Sequence, residues 1–154
     1  MNDTIRDQGT VLHTSVALGR YAEFFAAMRQ ADVERMGTVM TPAVHFRDPF
    51  NDLHDLEATQ TVFRHMFEAC QTARFTILDQ AAADETGFLL WRLDFRLRRW
   101  QPERERQILG TSHVRFAPDG RAHEHRDYWD AGQQVYEQIP VLGALLRQVR
   151  KRLG

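Results

Sequence analysis

Leu18, Tyr21, Phe25 and Met28 follow one another at steps of three and four, with Phe24 alongside, so the first long element is an amphipathic helix with one apolar stripe. Asp32 reads as a cap. Val33, Met36 and Met40 mark a second, shorter helix that Thr41-Pro42 ends, because a residue before proline is disfavoured in helical conformation. The pattern then changes period. Val44-His45-Phe46-Arg47-Asp48 alternates and is stopped by Pro49, which predicts a short strand with Val44, Phe46 and Asp48 turned inward. Asn51 to Asp55 make a turn with capping acids, after which Leu56, Thr59, Phe63, Met66, Phe67 and Cys70 trace one face of a third helix.

From Arg74 to Asp130 everything reads as strand. The strands run from Phe75 to Gln80, Phe88 to Trp100 and Ile108 to Phe116, with a last one ending in His125-Arg126-Asp127-Tyr128-Trp129-Asp130. A turn at Asp84-Glu85-Thr86-Gly87, a loop at Gln101-Pro102 and a tight turn at Pro118-Asp119-Gly120 separate them. In the last strand His125, Asp127 and Trp129 share one side. In the long one Leu89, Trp91, Leu93, Phe95 and Leu97 share a side, and Phe88, Leu90, Arg92, Asp94, Arg96 and Arg98 the other. Both sides cannot face one core. Taken alone, the pattern packs the wholly apolar side on the helices and leaves Arg92 and Asp94 as a solvated pair. Val135, Ile139, Leu142, Leu146, Val149 and Leu153 then form a C-terminal helical seam, which Pro140 kinks or splits. The predicted fold class is α+β: a cone-shaped, curved antiparallel sheet wrapped around three N-terminal helices, with a C-terminal helix and an apolar hollow.

Composition narrows the possibilities without adding chemistry. The 154 residues, 43% of them hydrophobic, suit a single domain spanning 1–154. A net charge of -1 with both signs interspersed steers toward neither nucleic acid nor anionic membrane, and Arg147, Arg150, Lys151 and Arg152 are accounted for by the dipole of the last helix. With no bilayer-spanning apolar run and a polar start at Met1-Asn2-Asp3-Thr4, the expectation is a cytoplasmic protein. The lone Cys70 excludes an internal disulfide and reads as a small core residue. His123 and His125, with His113 on the neighbouring strand, have the residue type of a metal site but lack a full ligand set, so no metal or other cofactor is expected.

Three local motifs carry a resemblance. Val44-His45-Phe46-Arg47-Asp48-Pro49 resembles the strand that bears the proton-shuttling aspartate of ketosteroid isomerase. Arg92-Leu93-Asp94 resembles the arginine and aspartate, two apart on a strand, of limonene epoxide hydrolase. Arg126-Asp127-Tyr128-Trp129-Asp130 is similar to the stretch of that hydrolase containing its water-activating base. In this order, from about Ser15 to Asp130, the chain resembles the nuclear transport factor two-like superfamily, with its SnoaL-like polyketide cyclases.

The resemblance implies Asp127 as general base for water, Asp94 as general acid toward an epoxide oxygen and Arg92 as a bridge between them, which turns the Arg92 side of the strand inward. It also implies a pocket lined by Tyr21, Phe24, Phe46, Ser112, His125 and Trp129, taking a small apolar ligand or substrate. Phe46 and Asp48 stand where the hydrolase has a tyrosine and an asparagine; Phe24 and Ser112 stand where the isomerase has its two strongest enolate donors, although Asp48 keeps the isomerase base. The leading expectation is therefore a cofactor-free acid-base enzyme of hydrolase type. The alternatives are a non-catalytic ligand-binding dimer and an isomerase or polyketide cyclase using Asp48. A homodimer is expected through an outer sheet face bearing Trp91, Leu93 and Phe95.

Overall fold

A computed structural model describes residues 2–135, 148, 149, 151 and 152, with side chains from position 13 onward. Helix α1 (Asn2–Ala27) is followed by a 3-10 helix (Gln30–Thr38), strands β1 (Met40–Arg47) and β2 (Asp52–Leu53), helix α2 (Leu56–Ala69), strands β3 (Cys70–Ala83), β4 (Thr86–Leu97), β5 (Arg106–Phe116) and β6 (Ala122–Tyr128), and a short helix α3 (Ala131–Gln134). The strands form one six-stranded sheet in the order β2-β1-β6-β5-β4-β3. It is the expected α+β architecture, a curved, unclosed sheet around the helices. One pair departs from the antiparallel expectation: β1 runs parallel to β6, and α2 carries the chain from the β2 edge of the sheet to the β3 edge. The seam from Val135 to Leu153 lies for the most part outside the described residues.

The helices form where the apolar period predicts them. Leu18, Tyr21, Phe25 and Met28 are all buried against the sheet, and α2 starts where the Asp55 carboxylate accepts a hydrogen bond from the Ala58 backbone N–H at 2.7 Å. The second helix ends earlier than its apolar steps suggest. Met40 already pairs with Ala122 of β6, so Thr41-Pro42 lies inside β1. Proline is tolerated there because the register between Met40 and His45 is irregular and does not require every N–H. Cys70 opens β3 instead of closing α2, and it is buried as expected of a core residue.

Strand β4 decides which face of the sheet is inside. Leu89, Trp91 and Leu93 are buried in the core, while Phe88 and Leu90 stay exposed. Trp91 sits opposite Gly110 of β5 in the antiparallel register. A methyl group on Gly110 would collide with the Trp91 ring, so the glycine is what lets the indole lie flat across the neighbouring strand. Alternation then sends Arg92 and Asp94 to the convex side. This corrects two expectations: Arg92 and Asp94 do not line the hollow, and Trp91, Leu93 and Phe95 do not form the outer face expected to make a dimer.

Candidate functional site

The concave side of the sheet holds a funnel of about 310 Å³ walled by Phe46, Phe63, Phe75, Trp91, Leu93 and Trp129. Its few polar groups include Asp48, Asn51 and Asp127. Beyond it, a narrow hollow of about 30 Å³ reaches inward between Tyr21, Phe25, Leu89, Ser112 and His125, with room for about one water molecule. Phe63, Phe75, Trp91 and Asp127 line both spaces. An apolar concavity of this size with a small number of convergent polar groups is the usual form of a small-molecule site.

Asp127 is where the polar groups meet. Ser112 and Asp127 are register partners on β5 and β6, and the Ser112 hydroxyl donates to Asp127 Oδ1 at 2.5 Å. His125, two residues earlier on the same strand, reaches the same oxygen with Nε2 at 2.7 Å. Its other ring nitrogen, Nδ1, lies 2.7 Å from the Tyr21 hydroxyl on α1. Trp91 completes the set by donating its indole N–H to the Ser112 Oγ at 2.8 Å. The imidazole is further held by a stacked Phe46 ring, 5.0 Å away at an interplanar angle of 21°.

One arrangement of protons satisfies all of these contacts. Indole N–H is a donor only, so Ser112 must spend its own hydrogen on Asp127. Burial, together with the Asp127 charge, pushes the Tyr21 phenol well above its ordinary value of 10.0; Tyr21 therefore stays protonated and donates to Nδ1. With Nδ1 accepting, the His125 Nε2–H donates to Asp127. Two short chains of donors, Trp91 to Ser112 and Tyr21 to His125, end on one carboxylate oxygen. The other oxygen, Oδ2, accepts none of these bonds. The Asp127 side chain is 14% exposed and borders both the funnel and the inner hollow.

The remaining candidates fall elsewhere. Arg92 Nε donates to Asp94 Oδ2 at 2.9 Å, and Gln107 donates to Asp94 Oδ1 at 2.7 Å. Burial alone would raise the Asp94 pKa, but these bonds, with the charges of Arg92 and Arg74, outweigh it and hold the carboxyl below its usual range. That arrangement is a settled carboxylate on the convex face, not a proton donor facing a ligand. Asp48 lines the funnel, yet its Oδ1 accepts the backbone N–H groups of Phe50 and Asn51, each at 2.7 Å, and the Asn51 amide at 2.9 Å. Its Oδ2 takes the same amide at 3.0 Å. This is a turn-forming aspartate. Of the expected pocket residues, Tyr21, Phe46, Ser112, His125 and Trp129 line the two spaces. Phe24 instead faces an outer groove beside Arg20 and Arg29, and Phe25, one position on, takes the inner place. Trp91 is the functional residue that the sequence reading misplaced; the apolar run of its strand face, set against Gly110, was the signal.

Comparison with known proteins agrees with this fold. The crystal structure of an NTF2-like protein of unknown function from Exiguobacterium sp. 255-15 superposes with a TM-score of 0.62 at 17% identity, covering 74% of this chain and 98% of that one. A protein from Jannaschia sp. CCS1 assigned as a SnoaL-like polyketide cyclase gives a TM-score of 0.64 at 12% identity, with 79% and 88% covered. An LEH-like epoxide hydrolase of M. tuberculosis gives 0.65 at 16% identity, with 86% and 96% covered. No curated protein matches the sequence. Residues 21–125, from the phenol that anchors the imidazole to the imidazole itself, match the SnoaL-like domain, and the chain belongs to that family within the NTF2-like superfamily.

Proposed function

We propose that the protein is a cofactor-free acid-base enzyme acting on a small, mostly apolar carbonyl compound, with Asp127 as the base that removes a proton from an acidic C–H and returns it. The observation that carries this reading is the asymmetry of the Asp127 carboxylate, which lines the funnel: Oδ1 is held by Ser112 and His125, while Oδ2 takes neither bond. A carboxylate so fixed is oriented in advance for proton transfer. Removal of the proton leaves an enolate, which either takes the proton back at another carbon or attacks a second carbonyl of the same molecule.

Among the described residues the N–H and O–H groups of Trp91, Ser112, His125 and Tyr21 are already committed within the chain. No pair of them is free to hold an enolate oxygen, so the substrate's own conjugation must spread the charge. This favours a C–H flanked by two carbonyls or by a carbonyl and an aromatic ring. Epoxide opening is less well supported, because it needs a proton donor opposite the base and Asp94 is on the convex face. We also propose that self-association, if it uses the sheet, uses that convex face, where Phe88, Leu90, Leu109 and Tyr128 are exposed.

The test is solvent-deuterium exchange into aromatic 1,3-diketone probes, followed by NMR. The wild-type protein should accelerate exchange, Asp127→Asn should lose at least about 100-fold of that rate, and Asp94→Asn and Asp48→Asn should keep most of it. Equal loss in Asp94→Asn, or none in Asp127→Asn, would overturn the assignment. Probes that bind the funnel without exchanging would leave a ligand-binding protein in its place.

A further inference from the structure

The hairpin between β1 and β2 carries a cluster that the acid-base site does not use. In its antiparallel register Phe46 faces Leu53 and Arg47 faces Asp52, so the next pair outward is His45 and His54. Phe46, fully buried, and the half-buried Leu53 turn to the core. By alternation His45, Arg47, Asp52 and His54 therefore project from the opposite, solvent side. The cross-strand histidines stack, with centroids 4.3 Å apart at 19°. Both aim Nε2 at one carboxylate oxygen, Asp52 Oδ1, from 2.7 Å for His45 and 3.6 Å for His54. Arg47 Nε approaches the other oxygen, Oδ2, at 3.6 Å.

We propose that His45, Asp52 and His54 form a binding site for a divalent late first-row metal ion, Zn²⁺ being the natural probe. The three ligand atoms already lie within 4.8 Å of one another. Donors around a tetrahedral zinc, each about 2.0–2.2 Å from it, are roughly 3.4 Å apart. Small rotations of exposed side chains are enough to convert the present contacts into coordination. Two imidazoles and one carboxylate favour zinc, copper or nickel over magnesium or calcium, which prefer oxygen ligands throughout. Three protein ligands at a solvent-facing position leave the remaining coordination sites to water. Arg47 would keep its contact with the carboxylate oxygen that the imidazoles do not approach.

The site is tied to the funnel through the backbone. Asp48, Phe50 and Asn51, which form the turn between β1 and β2, line the funnel, and Phe50 packs edge-on against Trp129 at 5.3 Å. An ion bridging β1 to the residue after β2 would clamp the base of this turn and hold the rim in one geometry. The proposal does not depend on what Asp127 does.

Chelator-stripped protein titrated with Zn²⁺ by isothermal calorimetry, in a buffer that does not bind metal, tests it. The expected result is one equivalent bound by the wild type, weakened at least roughly tenfold in His45→Ala and again in His54→Ala, with circular dichroism showing both variants folded. No saturable binding to the wild type would overturn the site. So would binding unchanged in both variants, which would assign the ion to other histidines of the chain.

Discussion

The Tyr21 hydroxyl is the most deeply placed link in the chain that ends on Asp127, and its consequences can be measured apart from turnover. Tyr21 is 1% exposed, and Tyr21→Phe would leave the His125 Nδ1 acceptor buried without its donor, a loss of about 1–3 kcal/mol. The sign of its pH dependence follows from the raised phenol pKa. Below the ordinary value of 10.0 both folded and unfolded chains keep the proton, so the contribution of Tyr21 is complete. Above it the unfolded chain releases its proton first and wild-type stability falls, an effect the phenylalanine variant cannot show. The stability gap between the two should therefore narrow between about pH 9 and 11 in urea unfolding. A constant gap across that range would mean that the phenol titrates equally in both states.

At the scale of elements, β4 and β5 carry the argument through a single glycine. Gly110 faces Trp91, and the collision that a methyl group would cause there involves several atoms of a ring whose N–H is fixed by Ser112. Gly110→Ala should cost about 1–3 kcal/mol and shift the Trp91 fluorescence. The same change at Gly19, within α1 and with nothing within 4 Å of the added methyl, should instead stabilise by about 1 kcal/mol through helix propensity. Denaturant midpoints that moved the same way in both variants would contradict this account. The pair separates what an element prefers by itself from what its neighbour imposes.

For the whole molecule, the sheet's two faces have opposite duties. The concave one is closed by α1 and α2 and contains the funnel; the convex one leaves Phe88, Leu90, Leu109 and Tyr128 between 38% and 52% exposed. Register places Thr111 between Leu90 and Tyr128, so the apolar groups are spread over three adjacent strands. A dimer formed there should sediment as such at micromolar concentration, and Leu90→Glu should return it to monomer without altering the funnel. A wild-type monomer under those conditions would remove the proposal. No helix among the described residues is long and apolar enough to cross a membrane.

What the chain alone determined were the features with a local cause. The apolar stripe of α1, the Asp55 cap of α2, the strand alternation and the shared side of His125 and Asp127 on β6 all follow from spacing. The order of these elements, together with the motifs at Val44–Pro49, Arg92–Asp94 and Arg126–Asp130, was enough to identify the superfamily. Alternation also separated Trp91 from Arg92, but it cannot say which side is inside, since a shift of one residue exchanges the faces. The resemblance chose Arg92 and Asp94; the tertiary structure chose Trp91, because its indole fits over Gly110 and finds Ser112, whereas the guanidinium finds Asp94 and water outside. In the same way, only the folded chain could bring Tyr21 to His125 across 104 residues, or set two histidines of one hairpin against a shared carboxylate oxygen. Contacts between distant segments depend on how surfaces fill space together, and no local pattern encodes that.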